Sequence, residues 1–243
     1  MKKIQKQILG IGAGIVLLVM IGLFIQVYPM LSMSPVETGQ IPETEIIAIN
    51  SGVNNAFLIY TDEGSILIDT GIGTDIIAAG LDELAVSDTE IKHILFTHSD
   101  SDHVGGRSLF SDAQIYISED EVQMIDGTIK RNLFVFNEIP DTLTSNLITL
   151  TDQQELTIGG HTILCIKTPG HTPGSMSYLI DEKYLFSGDA FQVKDGIMMV
   201  HPYTMDAVQG KETISMLDTV KDDIIILTAH YGYYHGHDLM TEP

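Results

Sequence analysis

The segment Thr97-His-Ser-Asp-Ser-Asp-His-Val-Gly-Gly106 places His98, Asp100, Asp102 and His103 within six positions. Imidazoles and carboxylates bind divalent metals and move protons near neutral pH. A helix would scatter four such groups around its circumference. A loop leaving a strand can turn His98 and Asp100 to one side and Asp102 and His103 to another, which suits two neighbouring cations. Gly105 and Gly106 read as letting the backbone turn tightly behind the cluster. Three more groups of the same kind follow: His171 in Thr168-Pro-Gly-His-Thr-Pro-Gly-Ser175, Asp189 in Ser187-Gly-Asp-Ala190, and His230 in Thr228-Ala-His-Tyr231. Each lies just past an apolar run.

Strands must carry these residues. Short β-type runs bounded by turn residues cover 45–50, 56–61 and 65–69. A helical pattern over 74–84 sets Ile76, Ile77, Leu81 and Leu84 on one face. Further strands are expected at 93–97, 115–117, 156–158, 162–167, 177–180, 184–187 and 224–228. A helix begins near 120–124, and an amphipathic helix covers 206–220. Residues 128–146 read as an irregular insertion on the substrate side. Strands in two groups, each ending near helices, predict two sheets packed face to face with helices outside.

The ordered ligand groups resemble the metallo-β-lactamase-fold superfamily, whose hydrolases carry HxHxDH, then a His, an Asp and a His. Ile68-Asp69-Thr70-Gly71 is similar to the family's early Asp-x-Gly turn, and the resemblance covers about residues 45–235. It implies an α+β fold, a four-layer αββα sandwich. It also implies two divalent metal ions, zinc first, with manganese or iron as alternatives. His98, Asp100 and His171 would hold one ion; Asp102, His103 and His230 the other; Asp189 would bridge them. Asp69 would orient a ligand. The bridging Asp is typical of glyoxalase II-like and lactonase-like members. The implied reaction is hydrolysis of an ester, thioester, lactone or phosphodiester by a metal-bridging hydroxide, with Asp102 or Asp189 relaying a proton.

One position departs from the pattern. Asp100 stands where the family has its second His, giving HxDxDH. A carboxylate there shifts preference towards manganese or iron and, by charge alone, makes the centre less positive. Alternatives to hydrolysis are a metal-dependent oxidoreductase using this Asp-containing site, or a degraded member that binds without turnover. Tyr203, Tyr231, Tyr233 and Tyr234 are candidate donors to a reacting oxygen. His201, before Pro202 in a loop over the site, is a candidate substrate contact. His93 reads as structural, His161 as a hairpin residue, and His235 and His237 as exposed. Cys165 reads as strand filler.

The 243 residues carry 12 Lys+Arg against 33 Asp+Glu, a net charge of −21. Such a chain repels nucleic acid; a small-molecule substrate is the partner the resemblance implies. Lys2, Lys3 and Lys6 precede an apolar run, and 8–28 is long enough to span a bilayer. All nearby basic residues lie on its N-terminal side, which puts the remainder outside the cytoplasm, with secretion after cleavage as the alternative. The organisation read from sequence is therefore a membrane anchor over 1–28, a Pro-containing tether over 29–44, and a catalytic domain over 45–243.

Overall fold

A computed structural model describes residues 2–131 and 146–241, in two compact units, Met1–Met33 and Ser34–Pro243. The first is the helix α1 (Lys2–Val27) followed by a 3-10 turn over Tyr28–Ser32. A 19-residue stretch, Gly14–Ser32, has mean hydropathy 2.3, apolar enough to cross a membrane.

In the second unit, seven strands form one sheet: β1 (Gly39–Gln40), β2 (Ile47–Asn50), β3 (Asn55–Ile59), β4 (Ser65–Ile68), β5 (Ile91–Leu95), β6 (Gln114–Ser118) and β7 (Leu147–Leu150), in that spatial order. β1 to β4 pair antiparallel, and β4 to β7 pair parallel. The second sheet begins with β8 (Glu155–Ile158), β9 (His161–Lys167), β10 (Met176–Ile180) and β11 (Tyr184–Gly188). A ribbon of β12 (Gln192–Lys194) and β13 (Ile197–Met199) then leaves it. β14 (Ile225–Thr228) returns parallel to β11, and β15 (Tyr233–His235) closes the edge. β16 (Met240–Thr241) joins the ribbon.

Period-two alternation decides which core each strand feeds. Phe57 and Ile59 of β3 and Ile66 and Ile68 of β4 meet Ile163, Cys165, Tyr178 and Phe186 of the second sheet. Their neighbours Ala56, Leu58 and Leu67 face the other way, onto Ile77 and Leu81 of α2 (Thr74–Glu83). The fold is α+β, with two β-sheets sharing a core and α2 outside the first. The helix α5 (Ala207–Asp218) packs on β13 and β16, and Asp206 caps it by accepting from the amides of Val208 and Gln209.

Several expectations need correcting. Ile76 is exposed, so the buried stripe of α2 is Ile77, Gly80 and Leu81. The ligand segment is not all loop: α3 (Ser101–Val104) is one helical turn carrying Asp102 and His103. Gly105 and Gly106 have φ of −61° and −84°, so they are not there for left-handed freedom. They provide room, because a Cβ at Gly106 would strike the Thr70 carbonyl and Ile77. The expected tether is partly sheet, since β1 pairs with β2. Of the expected insertion over 128–146, residues 132–145 lie outside those described, while α4 (Val122–Ile125) precedes it.

Candidate metal centre

All seven predicted ligand residues converge at the C-terminal ends of strands, where crevices in such sheets form. β5 runs into His98, β9 into the turn holding His171, β11 into Asp189, and β14 into His230. Asp69 follows β4. Its φ of 59° is costly for a residue with a Cβ. Its hydrogen bonds offset that cost. Oδ1 accepts from the Thr97 amide (2.9 Å), and Oδ2 accepts from Thr97 Oγ1 (2.8 Å) and His103 Nδ1 (2.8 Å).

These bonds set tautomers. The Thr97 hydroxyl hydrogen goes to Asp69, so its oxygen accepts from His98 Nδ1 (3.0 Å). His103 donates from Nδ1 to Asp69, and His230 donates from Nδ1 to the Val53 carbonyl (2.7 Å). In the neutral form of each ring, the form that binds metal, the proton is therefore on Nδ1, and Nε2 is left as a lone pair turned inward. Holding a ligand imidazole by its far nitrogen is how metal sites are oriented.

The inward atoms fall into two sets. In one, His98 Nε2 is 3.5 Å and His171 Nε2 3.1 Å from Asp100 Oδ2; Asp189 Oδ2 is 3.3 Å from His171 Nε2 and 4.0 Å from His98 Nε2. In the other, Asp102 Oδ2 lies 3.7 Å from His103 Nε2 and 3.6 Å from His230 Nε2. Asp189 Oδ1 is 3.5 Å and 3.2 Å from the same two nitrogens. Tetrahedral ligands at roughly 2.0–2.2 Å from a metal stand about 3.3–3.6 Å apart. Most of these spacings match that edge. His98 Nε2, His103 Nε2 and Asp189 Oδ1 are buried without a hydrogen-bond partner, which is costly unless something else engages them. The residues present fit two divalent cations, with the Asp189 carboxylate between the sets: Oδ1 faces the second, and Oδ2 lies 3.3 Å from His171 Nε2 and 3.2 Å from His230 Nε2.

The metal-free electrostatics follow from this crowding. Burial disfavours charge on Asp189, but the His230, His201, His103 and His171 imidazoles hold its carboxyl well below the usual range. Burial pulls His103 down, but Asp189, Asp102 and Asp69 outweigh it and push it up to about 10.

Three residues that spacing did not assign to the site help build it. Arg131, buried, sets Nε 2.9 Å from Asp100 Oδ1 and donates to the carbonyls of Tyr203 (2.7 Å) and His171 (2.9 Å). Burial opposes charge on Asp100, but the Arg131 guanidinium and the neighbouring His171 and His98 imidazoles keep its carboxyl well below the usual range. Glu121 accepts from the Ser99 amide (2.9 Å) and hydroxyl (2.6 Å) with one oxygen. Its other oxygen accepts from Thr172 Oγ1 (2.7 Å) and the Gly174 amide (3.2 Å). It ties the His98 loop to the His171 loop. His201, expected only as a substrate contact, is buried with Nε2 3.7 Å from Asp189 Oδ2. Burial, against Asp189, pulls it down to about 3. No local pattern announces Arg131 or Glu121, because their partners are loops distant in sequence.

The remaining candidates scatter. Tyr234 donates its hydroxyl to the Tyr231 carbonyl (2.6 Å), and Tyr231 packs on the His201 and His230 rings. His93 sits beside Tyr116, His161 pairs with Asp181, and Cys165 is buried. His235 and His237 lie side by side outside the centre, their rings tilted by 30°.

The metallo-beta-lactamase superfamily description matches residues 49–230. A probable polyketide biosynthesis zinc-dependent hydrolase of Bacillus subtilis, PksB, is 28% identical over 183 residues, 74% of this chain and 69% of its own. An uncharacterized protein of the same organism, YobT, is 38% identical over 118 residues, 44% of this chain and 49% of its own. The chain thus spans about half of the latter. A metallo-beta-lactamase of Cronobacter sakazakii with a HARLDQ motif shares the fold, at TM-score 0.63 and 23% identity, covering 84% of this chain and 81% of its own. With the family match spanning most of its length, this chain belongs to the metallo-beta-lactamase superfamily.

Proposed function

We propose that this chain is a membrane-anchored hydrolase working with two divalent cations, zinc first, on a small ester, thioester, lactone or phosphodiester. The observation that carries the proposal is the place of Asp189 between two donor sets with metal-type spacing, its carboxylate 3.3 Å from His171 Nε2 of one and 3.2 Å from His230 Nε2 of the other. The similarity to a zinc-dependent hydrolase, PksB, points the same way. When bound, paired cations lower the pKa of water and polarise the oxygen under attack.

The chain's own residues do the rest. His98, Asp100, His171 and Asp189 hold one position; Asp102, His103, His230 and Asp189 hold the other. Asp69 orients His103 directly and His98 through Thr97. Asp102 is the more exposed acid of the set and the better placed to pass a proton to solvent, with Asp189 as the buried alternative. No nucleic-acid partner is proposed for a chain of net charge −21.

The test uses the full chain in detergent. Elemental analysis should find two metal ions per chain. The loaded protein should hydrolyse a member of a chromogenic ester, thioester, lactone and phosphodiester panel, and chelation should abolish that activity. One ion per chain, or full loading with no turnover across the panel, would overturn the proposal.

A further inference from the structure

His201 has its two nitrogens arranged the opposite way from His98, His103 and His230. In His98, His103 and His230 the outer nitrogen Nδ1 faces an acceptor, which frees Nε2 as a lone pair. His201 Nδ1 instead faces a donor, the Tyr203 amide at 3.5 Å. An imidazole nitrogen that accepts an N–H carries no hydrogen, so in the neutral ring the proton is on Nε2. That atom is buried, points at the Asp189 side of the centre, and has no hydrogen-bond partner. Its 3.7 Å separation from Asp189 Oδ2 is too long for a bond. A buried N–H without an acceptor costs free energy, and such a group marks a place where something else binds.

The surroundings say what binds. The His201 ring packs edge-on against His171 of one donor set, at 4.8 Å between centroids. It also stacks on His230 of the other set at 5.6 Å. It therefore packs against one histidine of each donor set, while its tautomer differs from that of His98, His103 and His230. An uncharged N–H held there complements an oxygen that gains negative charge during reaction.

On the hydrolase reading above, which this deepens, we propose that His201 donates its Nε2 hydrogen to the substrate's carbonyl or phosphoryl oxygen as that oxygen becomes negative. It would be a catalytic residue but not a ligand. The hydrogen stays on Nε2 throughout, so no proton is transferred and the neutral ring is regenerated without a partner. The rival role is metal ligation, because His171, Asp189 and His201 also offer ligand atoms within 4.8 Å of one another. Ligation through Nε2 would need the proton on Nδ1, against the Tyr203 amide.

The decisive measurement is the His201 tautomer, read from nitrogen-15 shifts of the labelled full chain, metal-free and zinc-loaded. The signal is assigned by its loss in His201→Gln. The proton is expected on Nε2 in both states. A shift to Nδ1–H on zinc loading would overturn the proposal in favour of ligation.

Variants give the second readout. His201→Ala should keep two metal ions per chain and leave KM within a few-fold, while kcat falls about 100-fold. His201→Gln, which can still present an N–H, should recover part of that. His237→Ala, at an exposed imidazole outside the centre, should change neither kcat nor metal content. Loss of an ion in His201→Ala, or unchanged kcat, would each overturn the assignment, and a loss of kcat in Tyr231→Phe equal to that of His201→Ala with no recovery in His201→Gln would pass the donor role to Tyr231. If His201→Ala does not fold, the wild-type tautomer still decides. If the wild-type chain binds no metal and hydrolyses nothing, the hydrolase reading falls, while the metal-free tautomer still tests the donor geometry.

Discussion

Asp100 exchanges an imidazole for a negative charge, and Arg131 supplies the opposite one at 2.9 Å. Set against the family's neutral His, the added −1 and +1 cancel. The sequence-based expectation of a less positive centre therefore loses its basis. Arg131→Met should leave a buried carboxylate without its partner and cost the metal-free fold about 3–5 kcal/mol. Asp100→Asn on that background should return part of the loss. Denaturant unfolding of the four variants measures the coupling, and additive effects would show that the two residues do not cooperate. His103 gives the pH dependence. Its value is raised in the fold, from about 6.5 to about 10. Its stabilising effect on the metal-free protein is thus full below pH 6.5 and lost as the pH rises through 10. Metal uptake must displace the same proton, so apparent affinity should climb with pH over that window. Melting curves of metal-free protein that stay flat between pH 6 and 10 would contradict this.

At the scale of elements, the centre depends on loops that strands deliver but do not rigidify. Glu121, between β6 and α4, accepts four hydrogen bonds from the two loops that carry His98 and His171. Glu121→Ala leaves four donors without an acceptor, at a cost of about 3 kcal/mol or more. The variant should melt lower and lose metal more readily in a chelator competition, although Glu121 touches no metal-type donor. An unchanged melting point together with unchanged metal retention would remove this role. Cys165 in β9 reports on the sheet-to-sheet core. Burial pushes its thiol up to about 12, so it should resist alkylation at pH 8 until the protein unfolds. The strands that deliver the ligands were legible because each is an apolar run ending in a small or polar residue. The short β12, β13, β15 and β16 were not, since two or three residues hold no period. The α3 turn is not legible in the sequence, because its backbone is set by hydrogen bonds from the His103 and Val104 amides to the Asp100 carbonyl, which leave no mark in side-chain pattern. The apolar residues around Ile76 fit more than one helical stripe, so the pattern alone does not separate exposed Ile76 from buried Ile77.

For the whole molecule, charge and hydropathy divide the chain sharply. Every acidic residue lies beyond residue 28, so with the nine Lys and Arg found there that part carries 9 − 33 = −24. The N-terminal side of the apolar helix holds Lys2, Lys3 and Lys6, and the next basic residue is Lys92. Basic residues close to a span stay on the cytoplasmic side, whereas acidic ones contribute little to orientation. The inner leaflet is itself anionic, so a segment of −24 gains nothing by lying against it. On the membrane-anchored reading proposed above, both effects predict a metal centre outside the cytoplasm. A periplasmic-type reporter fused after Pro243 should be active, and a reporter that works only in the cytoplasm should be silent. Moving the three lysines to the far flank of the helix should invert both results. Cytoplasmic activity of the unmodified fusion would overturn the orientation, and release of the unmodified protein into a salt-washed soluble fraction would overturn the anchor.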